Sequence, residues 1–290
     1  MAEQKALPIR GFLIHVTHYD PVWAERKPRE KPMDVNVALE VVDAMAEVGL
    51  NLLVVDCADG VSYKSHPELK RHYTIPMSSL MRIVKRARKH GIELVPKLNF
   101  AQSGQNLHNH WFRPYHRSLF DSAEYWRRGF QLMDELIEAF DPPRFFHVGM
   151  DEDHWRSLKQ YARAVNTLDA GLKKRGLRTV MWKDCQDYAS GEAHVEKSRA
   201  SESKIPKDIV QVPWGYARVK GEEVRRLRRK GFEVWGAPGR DADNVRGWRD
   251  ALLRYGGTGI LLTRWIPCRP GTRSELLKAV RESGPLCSGG

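Results

Sequence analysis

The chain repeats one local pattern, in which a basic amphipathic segment ends at a glycine and an apolar, β-branched run follows at once. Glycine suits the left-handed turn that closes a helix, and uninterrupted apolar strands are typical of a parallel sheet that is buried on both faces. The glycines of these units are Gly49, Gly91, Gly176 and Gly231, and the runs that follow them are LNLLVVD, IELVPKL, LRTVMWK and FEVWGAP. The pattern predicts alternating helices and parallel strands, which is the α/β class of fold.

Other apolar runs bring the number of predicted strands to eight, and segments with helical periodicity separate them. The further strands are Ile9 to Thr17, Phe145 to Gly149, Ile209 to Pro213 and Gly259 to Arg264. The predicted helices are Asp34 to Val48, Ser78 to His90, Ala123 to Phe140, Trp155 to Lys174, Gly221 to Lys230, Asp241 to Tyr255 and Thr272 to Glu282. The helical pattern is weakest over residues 186–204, which we expect to be largely loop.

This alternation predicts one (β/α)8 barrel that spans residues 1–290 as a single domain, because that fold takes about 250 residues. An open doubly wound sheet is the alternative, but no glycine-rich phosphate loop follows the first predicted strand. The active site of such a barrel lies at the carboxyl ends of its strands. The residues predicted there are His15, Thr17, His18, Asp56, Cys57, Asp59, Lys97, Asn99, Asp151, Glu152, Asp153, Trp182, Lys183, Asp184, Trp214, Trp235, Arg264 and Trp265.

The fourth predicted strand ends in three adjacent acids, Asp151, Glu152 and Asp153. Ionised carboxylates are costly to bury and repel one another, so a buried strand that ends in this way indicates acids that face a cavity. The structural alternative is an N-cap, since an acid before a helix that begins near Trp155 would satisfy free backbone amides. We take Asp151 and Glu152 as the first candidates for catalysis.

Carboxylates and tryptophans dominate the predicted strand ends, and this mixture favours a carbohydrate ligand. Indole rings stack on the C–H faces of sugars, while carboxylate and guanidinium groups form paired hydrogen bonds with hydroxyls. For the tryptophans the alternative is packing in the barrel core or helix layer, because alternate strand positions point outward.

The sequence resembles the catalytic barrel of family 20 glycoside hydrolases, the β-N-acetylhexosaminidases, through motifs that follow one another in the same order. The segment from Phe146 to Glu152 is similar to the family's strand-four signature, an apolar residue followed by His, an apolar residue, Gly, Gly, Asp and Glu. Weaker similarity extends over nearly the whole chain, at Ile9 to Ile14, Asn51 to Asp59, His66 to Leu69, Gly91 to Pro96, Val180 to Asp184, Val210 to Trp214 and Leu262 to Trp265.

The resemblance implies a retaining exo-β-N-acetylhexosaminidase in which the 2-acetamido group of the substrate is the nucleophile. It implies that Glu152 is the general acid and base, and that Asp151 orients the acetamido group. The implied substrate-binding residues are Arg10, Asp59, Trp182, Asp184, Trp214 and Trp265. The expected partner is a carbohydrate with a terminal N-acetylhexosamine, and we expect no cofactor and no metal.

Several positions depart from the family pattern. The segment after the third strand, Asn99 to Gln105, lacks the family's proline-glycine-histidine turn, and His15 replaces an aspartate on the first strand. No glutamate follows Trp265, and no tyrosine is found near Pro238 after the seventh strand. We therefore expect the contacts to outer hydroxyls and the acetamido pocket to differ from the family.

Three other hypotheses are compatible with the sequence. A barrel glycosidase with a protein nucleophile would use Asp184 or Asp56 beside Glu152 and would not depend on the 2-acetamido group. A carbohydrate-binding barrel without catalysis would leave aryl β-N-acetylglucosaminides intact. A metal-dependent barrel enzyme is suggested by histidines and carboxylates at strand ends, namely His15, His18, Asp56, Asp151 and Glu152, with His108 and His110 in a loop.

The composition narrows the other function classes. The net charge of +12 lies mostly in helical segments such as residues 220–230, where solvated faces explain it, and no basic motif interleaved with aromatics occurs, so we expect no nucleic-acid partner. No apolar run spans a membrane, and the first ten residues lack the apolar core of a secretion signal. We expect no membrane association and a cytoplasmic protein, or a secreted one if a signal peptide was removed. The four cysteines are too scattered for a disulfide framework or a zinc knuckle, and the sequence does not indicate the oligomeric state.

Overall fold

Eight parallel strands form a closed barrel in the computed structural model, which describes residues 6–17, 27–103, 110–112, 115, 119–185 and 193–288. The strands are β1 (Ile9–His15), β2 (Leu52–Asp56), β3 (Glu93–Lys97), β4 (Phe145–His147), β5 (Arg178–Lys183), β6 (Val210–Gly215), β7 (Glu233–Pro238) and β8 (Gly259–Pro267). Each strand pairs with the next in chain order, and β8 pairs with β1. The prediction of a (β/α)8 barrel is confirmed.

Helices follow the strands and cover the outside of the barrel. In the described ranges they are α1 (Val35–Glu47), α2 (Met77–Lys89), α3 (Ala123–Phe140), α4 (Leu158–Lys173), α5 (Ala193–Ser201), α6 (Gly221–Arg229), α7 (Ala242–Tyr255) and α8 (Arg273–Ser283). Short 3-10 helices are found at Lys27–Arg29, Pro67–Leu69, His110–Phe112, Pro270–Thr272 and Pro285–Cys287. Part of the weakly predicted segment is thus helical, in α5, and residues 186–192 lie outside the described ranges.

The four glycines of the repeated pattern lie between a helix and the next strand, as predicted. Their φ angles are +73° at Gly49, +68° at Gly91, +73° at Gly176 and +88° at Gly231, in the left-handed region that glycine adopts without strain. A Cβ atom at any of the four would contact nothing within 4 Å. Backbone conformation, and not lack of space, therefore requires glycine at these turns.

Two apolar layers make up the core. The larger layer lies between the strands and the helices, and the smaller one fills the barrel with side chains such as Leu13, Val54, Val95, Val180 and Val212. Because side chains alternate along a strand, the residues two positions further along also point inward, and these form the last inner layer at the carboxyl ends. The four cysteines are free and buried. Along the described residues, no helix combines the length and the apolar character needed to cross a bilayer.

The last inner layer is polar on one half of the barrel and aromatic on the other. His15, Asp56, Lys97 and His147 are register partners on β1 to β4. The inward residues of the other half include Trp182 on β5, Trp214 on β6 and Trp265 on β8, all packed on the inner core. The register of β8 against β1 shifts by two residues between Leu13 and His15, and such an irregularity turns side chains near a barrel mouth.

Candidate active site

In the loop after β4, three of the four residues from 149 to 152 have a positive φ angle. The φ angles of Gly149, Met150 and Glu152 are +71°, +73° and +49°. A Cβ atom on Gly149 would lie 2.1 Å from the Asn99 Oδ1 atom, so only glycine fits there. Met150 occupies the place of the second glycine of the family signature, and the bonds from Met150 N to Asn99 Oδ1 (3.1 Å) and from Tyr161 Oη to Met150 O (3.1 Å) hold it. Strain of this kind is typical of functional sites, and it ends β4 at His147, two residues earlier than predicted.

Asn99 connects this loop to the first of the two candidate acids. Its Nδ2 atom donates to Asp151 Oδ1 at 2.7 Å, and its Oδ1 atom accepts from the backbone of Met150 and Ala101. Asp151 is only 7% exposed. Since the amide is held at its other end by two backbone groups, the hydrogen bond to Asp151 fixes the orientation of that carboxylate.

Asp184 positions the second acid. It follows β5, is buried, and accepts the backbone N–H of Glu152 at 3.0 and 3.2 Å. Burial and the neighbouring charge of Asp151 raise the pKa of Asp184 well above its usual value, and the charge of Glu152 acts in the same direction. These effects disfavour the ionised form of the Asp184 carboxyl group, whereas the Glu152 side chain is partly exposed.

Asp153 has a structural role instead. It is 1% exposed and forms ion pairs with Arg156 at 2.6 Å and Lys197 at 3.0 Å. Burial raises the pKa of this carboxyl group, but the charges of Arg156 and Lys197 outweigh that effect and lower it. Helix α4 begins at Leu158, and its N-cap is Ser157, so the N-cap interpretation applies to neither Asp151 nor Glu152.

The aromatic half of the inner layer forms a continuous wall. The rings of Trp182 and Trp265 lie 6.0 Å apart, and those of Trp214 and Tyr216 lie 5.4 Å apart. Trp265 Nε1 donates to Tyr216 Oη at 2.8 Å and joins the two pairs. Trp182 is bound to the acidic loop through its backbone, which donates to Gly149 O at 2.9 Å. The structure thus brings the three predicted tryptophans together, and Trp182 joins them to the loop that carries the acids.

Trp235 does not belong to this wall. It is completely buried low in the barrel, 5.1 Å from the Phe145 ring, and its indole donates to Glu233 at 3.2 Å. For this tryptophan the core-packing alternative is correct.

Tyr216 is a site residue that the sequence analysis missed. The tyrosine was expected after the seventh strand, near Pro238, whereas this one follows β6 and packs on the end of β7. A Cβ atom at Gly239 would lie 2.2 Å from the Tyr216 carbonyl oxygen. Burial raises the pKa of the Tyr216 phenol, and the charges of Asp151 and Glu152 add to the increase. A signal for Tyr216 was present in the sequence. Side chains alternate along a strand, so Tyr216, two residues after Trp214, is expected on the same face.

For Arg10 and Asp59, two other predicted substrate-binding residues, the structure shows contacts with residues other than the acids. Arg10 is near the start of β1, at the amino end of the barrel, where its guanidinium donates to Gly49 O at 3.0 Å and to Leu7 O at 2.7 Å. The assignment of Arg10 to the sugar pocket is corrected, because the acids lie at the opposite end. Asp59 is buried after β2 and accepts from the Tyr73 hydroxyl at 2.6 Å.

The polar half of the inner layer contains a buried ion pair. Lys97 and Asp56 are almost completely buried and bind each other, and His15 Nδ1 lies 3.3 Å from the same carboxylate oxygen. Burial raises the pKa of Asp56, but the charge of Lys97 and the contact with His15 outweigh it and hold the pKa well below its usual value. Asp56 is therefore an ionised group that Lys97 neutralises.

The metal hypothesis involves residues that the structure describes only in part. His18 and His108 lie outside the described residues. Across the described ranges, no group of three or more His, Cys, Asp or Glu side chains is arranged to hold a metal ion.

Comparison with known proteins finds similarity at the level of structure. No family model matches the chain, and no curated protein matches it in sequence. One similar structure is a mutant Streptomyces plicatus β-hexosaminidase in complex with its product GlcNAc, with a TM-score of 0.70 and 13% identity. A second is dispersin B, with a TM-score of 0.60 and 16% identity. A third is a GH20 exo-β-N-acetylglucosaminidase from Vibrio harveyi in complex with N-acetylglucosamine, with a TM-score of 0.65 and 14% identity.

These alignments cover nearly all of the present chain, at 98%, 98% and 97%. The chain spans 64% of the Streptomyces plicatus chain and 54% of the Vibrio harveyi chain, and it covers 100% of dispersin B. At these identities, the similarity establishes that the chain has the barrel fold of these proteins.

Proposed function

We propose that this protein is a retaining exo-β-N-acetylhexosaminidase that removes terminal N-acetylhexosamine by substrate-assisted catalysis. The observation that carries the proposal is the local arrangement of Asp151 and Glu152: Asn99 binds the Asp151 carboxylate, Asp184 binds the backbone N–H of Glu152, and Trp182 of the aromatic wall binds the same loop. The fold similarity to hexosaminidases, two of them in complex with N-acetylglucosamine, supports the same activity.

Glu152 serves in both chemical steps. In the first, the carbonyl oxygen of the 2-acetamido group attacks the anomeric carbon, the bond to the glycosidic oxygen breaks, and Glu152 gives its proton to that oxygen. An oxazolinium ion remains and the leaving alcohol is released. In the second step, the Glu152 carboxylate takes a proton from water while the water oxygen attacks the anomeric carbon. The oxazolinium ring opens and the 2-acetamido group is restored. The sugar keeps its configuration.

Asp151 acts on the acetamido group. Its carboxylate accepts the amide N–H of the substrate, which aims the carbonyl oxygen at the anomeric carbon and stabilises the positive charge of the intermediate. The hydrogen bond from Asn99 prevents the carboxylate from rotating away. The Tyr216 hydroxyl, which accepts from Trp265 Nε1 in the aromatic wall, is assigned to the acetamido carbonyl oxygen. The partly exposed Trp214 and Trp265 contact the sugar ring, and the buried Trp182 packs behind Trp265.

A protein nucleophile is disfavoured by the environment of both candidates. Asp184 is buried and both of its carboxylate oxygens accept the backbone N–H of Glu152, and its raised pKa disfavours the ionised form that a nucleophile needs. Asp56 is ionised, but it is bound to Lys97 and is 2% exposed. A nucleophilic carboxylate must be ionised and must reach the anomeric carbon.

The test compares substrates with and without the 2-acetamido group. Wild-type protein should hydrolyse an aryl β-N-acetylglucosaminide and leave the matching aryl β-glucoside almost untouched. Glu152→Gln should lower kcat on substrates with poor leaving groups by about 10²–10⁴-fold, and Asp151→Asn should slow formation of the intermediate. Glu222→Gln, on the exposed face of α6, is the control and should match wild type. Equal rates on the two aryl substrates would show that the nucleophile is not the acetamido group.

A further inference from the structure

Trp155 is a large apolar side chain that the fold leaves in solvent. Its side chain is 73% exposed, and no other large hydrophobic residue in the described ranges is classed as exposed. It lies three residues after Glu152, on the same loop. The packing of the fold gains nothing from an indole in water, and an exposed indole offers a flat face on which a ligand can stack.

The backbone that carries Trp155 is firmly held. The N–H groups of Trp155 and His154 both donate to Gln102 O, at 3.3 and 3.0 Å. On one side of this pair, Asp153 is buried in its ion pairs, and on the other, the Arg156 guanidinium donates to Phe100 O at 2.9 Å. An exposed indole on an anchored loop is pre-organised for binding, because little entropy is lost when a ligand covers it.

We propose that the Trp155 indole is the platform for the sugar on the leaving-group side of the scissile bond. The inference rests on the proposed function, in which Glu152 contacts the glycosidic oxygen. Three residues span at most about 10 Å, so the indole lies within reach of the unit attached to that oxygen. Beside Trp155 in the chain, the imidazole ring of His154 lies 4.8 Å from that of His194, and imidazoles form hydrogen bonds with hydroxyls. The substrate class is then a β-linked oligosaccharide or polysaccharide, with a sugar and not a small alcohol as the leaving group.

The experiment measures kcat/KM on two substrates with the same terminal sugar. One is the β-1,4-linked disaccharide of N-acetylglucosamine, and the other is 2-acetamido-2-deoxy-β-glucosyl fluoride, whose leaving group has no ring. Trp155→Ala should lower the ratio of the two values, disaccharide over fluoride, by about three- to tenfold, as expected for one lost stacking contact. Trp155→Phe should restore most of the ratio, because a flat ring is retained.

Lys159→Ala is the matched control, since Lys159 is an exposed side chain four residues further along, in the first turn of α4. Its ratio should equal that of wild type. If wild type cleaves both substrates and Trp155→Ala leaves the ratio unchanged, the inference about Trp155 is wrong while the proposed function stands. If wild type cleaves neither substrate, the proposed function itself fails.

Discussion

At the scale of single residues, Asn99 links most of the candidate site. One amide accepts two backbone N–H groups and donates to Asp151, so it fixes the acidic loop and the carboxylate together. Its side chain also excludes any residue but glycine at position 149. The geometry of the acids thus depends on a neutral residue of a neighbouring strand end.

Asn99→Asp is expected to lower kcat by about 10²-fold, because a small misplacement of a catalytic group has effects of that size. The change replaces the Nδ2 donor by an oxygen that repels the Asp151 carboxylate. Asn51→Asp is the control, since Asn51 accepts from Arg10 N at 2.8 Å at the opposite end of the barrel. Steady-state kinetics and thermal unfolding of both variants test this prediction. A similar loss of kcat in both variants would contradict the role assigned to Asn99.

Gly149→Ala is expected to lower the free energy of unfolding by roughly 3 kcal/mol and to lower activity. The variant combines a left-handed alanine with a Cβ atom in contact with Asn99. Gly176→Ala has almost the same φ angle but no neighbour within 4 Å, so it should cost about 1 kcal/mol and keep full activity. Urea unfolding and kcat of the two variants separate the strain from the clash, and equal losses would contradict the assigned clash.

At the scale of elements, β5 serves the site and the helix layer at once. Trp182 and Asp184 point inward to the pocket, and Lys183 points outward to the helices. Lys183 is buried, donates to Ser198 of α5 at 2.8 Å and pairs with Glu202 at 3.2 Å. Glu202 also binds Arg226 of α6. This ionic cluster anchors the strand that carries Asp184.

Glu202→Gln is expected to lower the free energy of unfolding by about 3 kcal/mol near pH 7, because Lys183 loses the charge that compensates it in the interior. Burial raises the pKa of Glu202, but the hydrogen bond from Arg226 and the charge of Lys183 outweigh it and bring the pKa to about 2. Since the folded pKa is below the unfolded value, this stabilisation is present above about pH 4.5 and is lost as the pH falls toward 2.

The measurement is urea unfolding of wild type and variant between pH 7 and pH 3. The difference between them should shrink as the pH falls. Glu222→Gln removes an exposed carboxylate from α6, the helix that carries Arg226, and should change the free energy of unfolding by less than about 1 kcal/mol at every pH. A pH-independent difference for Glu202→Gln would contradict the assigned ion pairs.

At the scale of the whole molecule, the two ends of the barrel have different tasks. The carboxyl end carries the strained loop, the acids and the aromatic wall, whereas the amino end is closed by contacts such as those of Arg10 with Gly49 and Leu7. This division is typical of (β/α)8 barrels, in which the amino end contributes stability.

Arg10→Ala is therefore expected to lower the free energy of unfolding by roughly 1–2 kcal/mol, through the loss of two charge-assisted hydrogen bonds. Its kcat and KM on an aryl β-N-acetylglucosaminide should stay within about twofold of wild type, because the side chain is remote from the pocket. Thermal unfolding and steady-state kinetics test this prediction. A large rise in KM would contradict it and would indicate that Arg10 contacts the sugar.

The order of helices and strands was predictable from the sequence, because it depends on local chemistry. Left-handed glycines such as Gly91 end helices wherever they occur, and buried parallel strands read as apolar runs in any context. The acids at the end of β4 were predictable for the same reason. The family resemblance extended this to the pocket, since Trp182, Trp214 and Trp265 occupy strand ends in the right order.

Only the closed barrel separated residues that look equivalent in the chain. Asp151 and Asp153 differ because Arg156 and Lys197 neutralise the second, and Lys197 lies more than forty residues away. Tyr216 joins the aromatic wall through its hydrogen bond with Trp265 of β8, a residue far along the chain. Distances between distant segments depend on strand register and closure, which local periodicity does not encode. The environment of each charge, and hence its chemistry, was therefore decided by the tertiary structure.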